Sequence, residues 1–379
     1  MRKILLATSA LVAGSAVAAS ASAAEAPTVS LSGGIDIQYI AETNDTSDNR
    51  TDKLGYLPFM TALIWDIDAE ADNGLAYGGR IDWRPANSGG SGGSGSNLDE
   101  IWIDLKGSFG KVVLGNDDGV GDDNVPQGGS VLVGSFGWTG TYLAGRSNSQ
   151  LKGGAPAPDG GSVVGTSDAA KVSYYTPDFG GFSAGFSWTP DSSISGSTTE
   201  TANTTTGEIT SSTAKSDFDN HYELMVSYSG EFAGASVTAA GQYKMADAQV
   251  DTNEDVRAWE VGTTVGIAGF SIGASYFDNG DSLVAKSSTA DAGDGFTLGV
   301  AYSFGATAVS VGYAATELDD GAGTTDEYDN LSLDVEYTVA EGLSAYAGVQ
   351  FAESDDGSDA TSSGEEDSTA VIIGTRLSF

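Results

Sequence analysis

Along most of this chain apolar and polar residues alternate one for one. In Val29-Ser30-Leu31-Ser32-Gly33-Gly34-Ile35-Asp36-Ile37-Gln38-Tyr39 the odd positions are apolar or Gly and the even ones are mostly polar. Leu63–Asp68, Ile81–Arg84, Ile101–Lys106 and Leu331–Tyr337 repeat the period. Side chains alternate faces along a strand, so each segment has one apolar face and one charged or small one. No capping signature precedes a helical period of useful length, so the chain is read as all-β.

The connections sort by length. Short turns are predicted near Asp72–Gly74, Gly107–Gly110, Asp178–Gly181, Gly230–Gly234, Gly266–Gly269, Gly305–Ala306 and Ala340–Gly342. Between them fall long polar loops near 42–56, 86–97, 116–169, 191–217, 248–255, 279–294, 319–326 and 354–368. This alternation predicts a transmembrane antiparallel β-barrel of about sixteen strands of roughly ten residues, with turns on one rim and loops on the other. A soluble sandwich has the same two-residue period but no reason to sort its connections. Phe109, Phe179, Phe182, Phe232, Phe270 and Phe304 flank the short turns, and Phe379 ends the chain. Aromatics recurring at one level form the girdle expected where a barrel wall meets the membrane surface. Tyr39, Trp65, Trp188, Tyr276 and Tyr313 share the outward parity further up.

Composition removes alternatives. The 379 residues carry 16 Lys and Arg against 53 Asp and Glu, a formal charge of −37. Such a charge repels phosphate backbones and excludes nucleic acid as a partner. With no Cys and the single His221, thiol nucleophiles and Cys-ligated or multi-His metal sites are absent, and no enzyme is expected. Arg2 and Lys3, the apolar Ile4–Ala19 and Ala21-Ser22-Ala23 read as a cleavable signal peptide over 1–23, cut after Ala23 or Ala24. Its removal takes the charge from −37 to −39 by deleting Arg2 and Lys3. No later run of roughly 18 apolar residues remains, so a single domain over 24–379 enters the membrane through strands.

Glu100–Gly115, read as a strand, a turn and a second strand, resembles the hairpin before the third loop of trimeric general diffusion porins. The start Val29–Ile40 and the ending Val371–Phe379 are also similar to that family, closest to alphaproteobacterial porins of the Rhodobacter kind. The resemblance implies a homotrimer in outer-membrane lipid and a third loop that folds into the lumen to narrow it. It also implies that Phe379 is the terminal residue read by the outer-membrane assembly machinery. Asn116 stands after Leu114-Gly115 where many relatives carry Arg, so no basic cluster carries over to that point.

The third loop, about 116–169, is much the longest, and its apolar Val131–Tyr142 calls for burial. Asp117, Asp118, Asp122 and Asp123 gather near its start. They are read as a negative eyelet or an oxygen-ligand Ca²⁺ site, against the alternative of a solvated acidic turn. Parity turns Leu75, Tyr77, Ile81 and Trp83 to lipid and Arg80, Asp82 and Arg84 to the lumen, with Arg80 nearest mid-height. The inward set continues with Asp66, Asp68, Glu100, Asp104, Lys106, Lys111 and Lys171, then Glu223, Lys244, Glu260, Asp334, Glu336 and Arg376. His221 falls inward near a rim and is read as incidental. The expectation is a porin of the bacterial outer membrane passing ions and small hydrophilic solutes, with a modest cation preference. A barrel selective for one solute class and a secreted acidic β-rich calcium-binding surface protein are the alternatives.

Overall fold

A computed structural model describes residues 26–44, 53–87, 97–122, 124–134, 165–191, 200–202, 209–211, 218–321, 323–355, 357 and 365–379. The expected signal peptide, Asp123 and residues 135–164 of the third loop lie outside the described residues. Strands β1 (Thr28–Asn44), β2 (Lys53–Glu70), β3 (Ala76–Asn87), β4 (Asn97–Gly107) and β5 (Gly110–Asn116) precede that loop, which carries a 3₁₀ turn at Gly129–Val131. β6 (Ala170–Tyr175) and β7 (Phe182–Asp191) follow, and the next long loop holds a small ribbon of β8 (Glu200–Ala202) and β9 (Ile209–Ser211). Then come β10 (Phe218–Phe232), β11 (Ala235–Ala248), β12 (Val256–Ile267), β13 (Phe270–Asp278) and β14 (Asp294–Phe304). β15 (Thr307–Asp319), β16 (Thr325–Ala340), β17 (Leu343–Asp355) and β18 (Glu365–Ser378) complete the chain.

All strands except the ribbon close into one barrel, each beside its sequence neighbour, with β1 against β18 at the seam. The seam runs antiparallel from Gly34 opposite Ser378 to Asn44 opposite Ser368. Closure leaves no edge strand, which a membrane requires because lipid cannot satisfy an unpaired backbone group. Among the described residues no helix is long and apolar enough to cross a membrane. Strand lengths are less even than the expected ten residues. β1 and β2 have 17 and 18 residues, whereas β5 and β6, between which the third loop leaves and rejoins the wall, have 7 and 6.

The two faces are inverted relative to a soluble fold. Val29, Leu31, Ile103, Leu224, Val226, Val311 and Leu333 are exposed on the outside, while Asp82, Asp104, Lys171, Glu223, Lys244 and Glu260 are buried inside. All seven phenylalanines expected near the turns are exposed, up to 77% at Phe232. Phe182 packs on Tyr228 at 4.7 Å and Phe270 on Tyr302 at 4.5 Å between ring centres, so the girdle is a set of contacts between adjacent strands. Two of the short turns are built alike. Ala233-Gly234 and Ala268-Gly269 both take positive φ, at 53° and 84° and at 52° and 85°. Two-residue hairpins need that twist, which Gly adopts freely and Ala at a cost of about 1 kcal/mol. At the opposite rim, Leu283 of the loop between β13 and β14 packs on Phe218, Ala246, Val256 and Ala258. There Arg257 N donates to Ser282 Oγ at 2.8 Å.

Candidate functional site

Residues 117–122 and 124–134 follow the buried faces of β7 and of β10 through β18, meeting the wall strand after strand. Val120 N donates to Ser187 Oγ at 3.5 Å, Gln127 Nε2 to Glu260 at 3.0 Å and Gly128 N to Thr297 Oγ1 at 2.7 Å. Val133 N donates to Ser310 Oγ at 3.0 Å and Gly134 N to Glu336 at 2.9 Å, while Arg376 Nη2 donates to Gly134 O at 2.9 Å. A buried loop must find partners for its backbone groups, and here polar side chains of the inner wall supply them. Val120 and Val125 are buried as well.

The sector of β3 to β6 carries a dense charge cluster. Arg80 Nε lies 2.8 Å from Asp66, with Nη1 3.9 Å from Glu100. Arg84 bridges Asp82 at 3.0 Å and Asp99 at 2.7 Å, and Lys106 reaches Asp104 at 2.6 Å. The Lys171 ammonium donates to the carbonyls of Asp117 and Ser167, and Lys111 lies 4.2 Å over the Tyr175 ring. Carboxylate oxygens of Glu100, Asp118 and Asp168 lie within 4.8 Å of one another, as do those of Asp82, Asp99 and Glu100. Burial, with Glu100 adding to it, pushes the Asp117 carboxyl up to about 6 against the pull of Lys171 and Lys111. Asp168 is raised too, by burial and then by Asp99.

The described loop acids Asp117, Asp118 and Asp122 have different partners. Burial raises Asp122, but the Lys244 ammonium at 2.5 Å outweighs it and holds that carboxyl below the ordinary range. Asp122 is therefore ion-paired to the wall through Lys244. A carboxylate oxygen of Asp118 lies within 4.8 Å of those of Glu100 and Asp168. Asp117 stays near Lys171, and Asp123 lies outside the described residues. Arg80, Asp82, Arg84 and Lys111 share the β3–β6 sector, whereas Arg376 is on the seam, 3.0 Å from Asp36 and 3.8 Å from Glu336. Phe379 continues that seam: its N and O exchange hydrogen bonds of 3.1 and 3.0 Å with Gly33.

Two residues escaped the sequence reading. Asp99 has outward parity, but the register shifts between Asp82 and Trp83, leaving Asp99 as the extra residue of a bulge. Such a bulge re-aims a side chain, here onto Arg84. Trp102 does alternate inward, where its Nε1 donates to Glu100 at 3.2 Å and its ring lies 5.6 Å from the Arg80 guanidinium. His221, read as incidental, is 1% exposed and lies 3.7 Å from Glu223, beside the Lys244–Asp122 pair.

Against known proteins, the chain matches the Gram-negative porin family over residues 7–357. No curated protein matches it. Among solved structures, an anion-selective porin from Comamonas acidovorans is 18% identical, over 93% of this chain and 100% of that one, with a TM-score of 0.61. The outer membrane channel DcaP of Acinetobacter baumannii is 15% identical over 93% and 97%, also at 0.61. The in-vitro folded outer membrane protein OmpT of Vibrio cholerae, in trimer form, is 16% identical over 94% and 100%, at 0.60. At these identities the likeness is one of fold. The family match spans most of the chain and agrees with the closed barrel, its apolar outside and its charged inside. The chain belongs to the Gram-negative porin family and is an outer-membrane channel for passive diffusion.

Proposed function

We propose that this porin is a general channel for ions and small hydrophilic solutes with a modest preference for cations, and that segment 117–134 narrows its passage. The observation that carries the preference is the charge balance of the β3–β6 sector. Asp82, Asp99, Glu100 and Asp104, with Asp117, Asp118 and Asp168, outnumber Arg80, Arg84, Lys106, Lys111 and Lys171. A lumen lined with excess carboxylate raises the local concentration of cations without dehydrating them. Reversal potentials across a planar bilayer in a KCl gradient test this. A cation-favouring potential is expected, largest in dilute salt because screening over about 8 Å at physiological strength removes the more distant charges. Neutralising Glu100, Asp118 and Asp168 together to Gln and Asn should move it toward zero. A chloride-favouring wild type would overturn the reading and leave Arg80, Lys111 and Arg376 as the dominant charges.

Further parts of the proposal are a signal peptide over 1–23, Phe379 as assembly signal, and a homotrimer. The trimer draws support from family membership and from the trimer form of the Vibrio cholerae relative. Channel rather than enzymatic activity rests on the same membership.

A further inference from the structure

We propose that inward-facing glycines of β12, β13 and β14 are positioning residues that set the cross-section of the channel by seating the third loop in a trough. This rests on the reading of 117–134 as the narrowing segment. Gly262, Gly273 and Gly299 stand on the inner face of three consecutive strands, and Gly273 pairs directly with Gly299 across the ladder. Each is covered by loop backbone. A Cβ at Gly262 meets the Pro126 carbonyl oxygen at 1.7 Å, one at Gly273 meets the Gln127 oxygen at 2.5 Å, and one at Gly299 meets the Gly128 oxygen at 2.1 Å. The loop is matched from its own side, since a Cβ at Gly128 meets the Leu298 backbone at 2.5 Å. Three successive loop residues thus lie on three glycines, at a distance no side chain permits.

The banks of the trough hold the loop in register. Thr297 accepts from Gly128 N at 2.7 Å and is itself 2.7 Å from Ser275 Oγ, while Glu260 accepts from Gln127. None of the three glycines needs a positive φ. Strand conformation alone would accept Ala there, and Gly in a strand interior otherwise weakens it. Close approach of another backbone is the remaining physical reason for Gly at these positions. A methyl group must therefore displace either the wall or the loop. The wall strands are hydrogen-bonded on both sides along their length, whereas the loop is held by a few side-chain contacts, so the loop yields and moves toward the axis. Moving a carbonyl oxygen from 1.7 Å to an ordinary contact needs about 1.5 Å, a large fraction of a narrow passage.

The test is single-channel conductance and sugar exclusion of Gly262→Ala, Gly273→Ala and Gly299→Ala in purified, folded protein. The control is Gly241→Ala on the outward face of β11, where a Cβ meets only Val261 and Glu260 at 3.2 and 3.4 Å. Conductance should fall by about two-fold in the inward variants, with a smaller exclusion limit, and stay unchanged in the control. Wild-type conductance in all three inward variants overturns the trough. If an inward variant does not fold, Thr297→Val serves instead. It adds no volume but removes the Gly128 anchor, so open-channel noise should rise, and a wild-type noise level counts against the seat. Deleting 126–131 separates the two readings. A larger conductance keeps the narrowing segment even if the alanine variants are silent. An unchanged conductance on deletion sinks the narrowing segment itself.

Discussion

Lys244 projects from the inner face of β11 with its ammonium 2.5 Å from Asp122 and 4.0 Å from Glu223, in a place where the Glu223 side chain is 0% exposed. A buried charge is tolerated only with its partners, and removing one partner leaves the others uncompensated. Lys244→Met should therefore lower stability by about 3 kcal/mol, read as an earlier midpoint in urea unfolding from detergent micelles. Adding Asp122→Asn and Glu223→Gln should recover most of that loss, and no recovery would mean that the pair is not what the lysine stabilises. Asp117 makes a second residue-scale case. Its carboxyl is raised to about 6, so it is charged above that pH and neutral below it. Its share of the cation preference should fade as pH drops through about 6, above the ordinary carboxylate range. Reversal potentials recorded from pH 8 to pH 4 should show a step near pH 6 that Asp117→Asn removes.

At the scale of strands, β18 closes the barrel and Phe379 extends it by one residue. The ladder from Gly34 opposite Ser378 is continued by two backbone hydrogen bonds between Phe379 and Gly33. Its exposed ring lies 3.3 Å from where a Cβ of Gly33 would stand, level with the turn phenylalanines. Deleting Phe379 removes those bonds, worth about 1 kcal/mol each, and the terminal aromatic, but nothing in the β3–β6 charge cluster. The expected result is less folded protein in the outer membrane with an unchanged single-channel conductance in what remains. A normal yield with altered conductance would reverse the assignment. The short strands β5 and β6 show the other side of the same logic. Their alternation was legible, but their length was not, because it is the long loop between them that decides where pairing stops.

For the whole molecule, the proposed trimer is checked by cross-linking and light scattering in mild detergent, where three-chain particles are expected and monomers would refute them. The barrel as a whole was legible from sequence: all seven short turns join the strand pairs they were expected to join, and the first strand pairs with the last. The site was legible only as a face. Parity assigned Asp82, Glu100, Lys171, Glu223, Lys244 and Glu260 to the inside, and all six are buried there. Which acid meets which base was not legible, because strand tilt and stagger decide which distant residues share a height.

By itself, the sequence determined the class of structure. A two-residue period, local turn chemistry and a terminal aromatic each act over a few residues, and a membrane admits only a closed barrel from such strands. Tertiary structure alone decided the rest. The bulge that turns Asp99 onto Arg84 depends on the register of two strands. The capture of Asp122 by Lys244 joins residues 122 positions apart. The glycines beneath Pro126, Gln127 and Gly128 acquire a meaning only when the loop lies on them. These are contacts between elements, and a one-dimensional pattern records the face of a residue but not what lies against it.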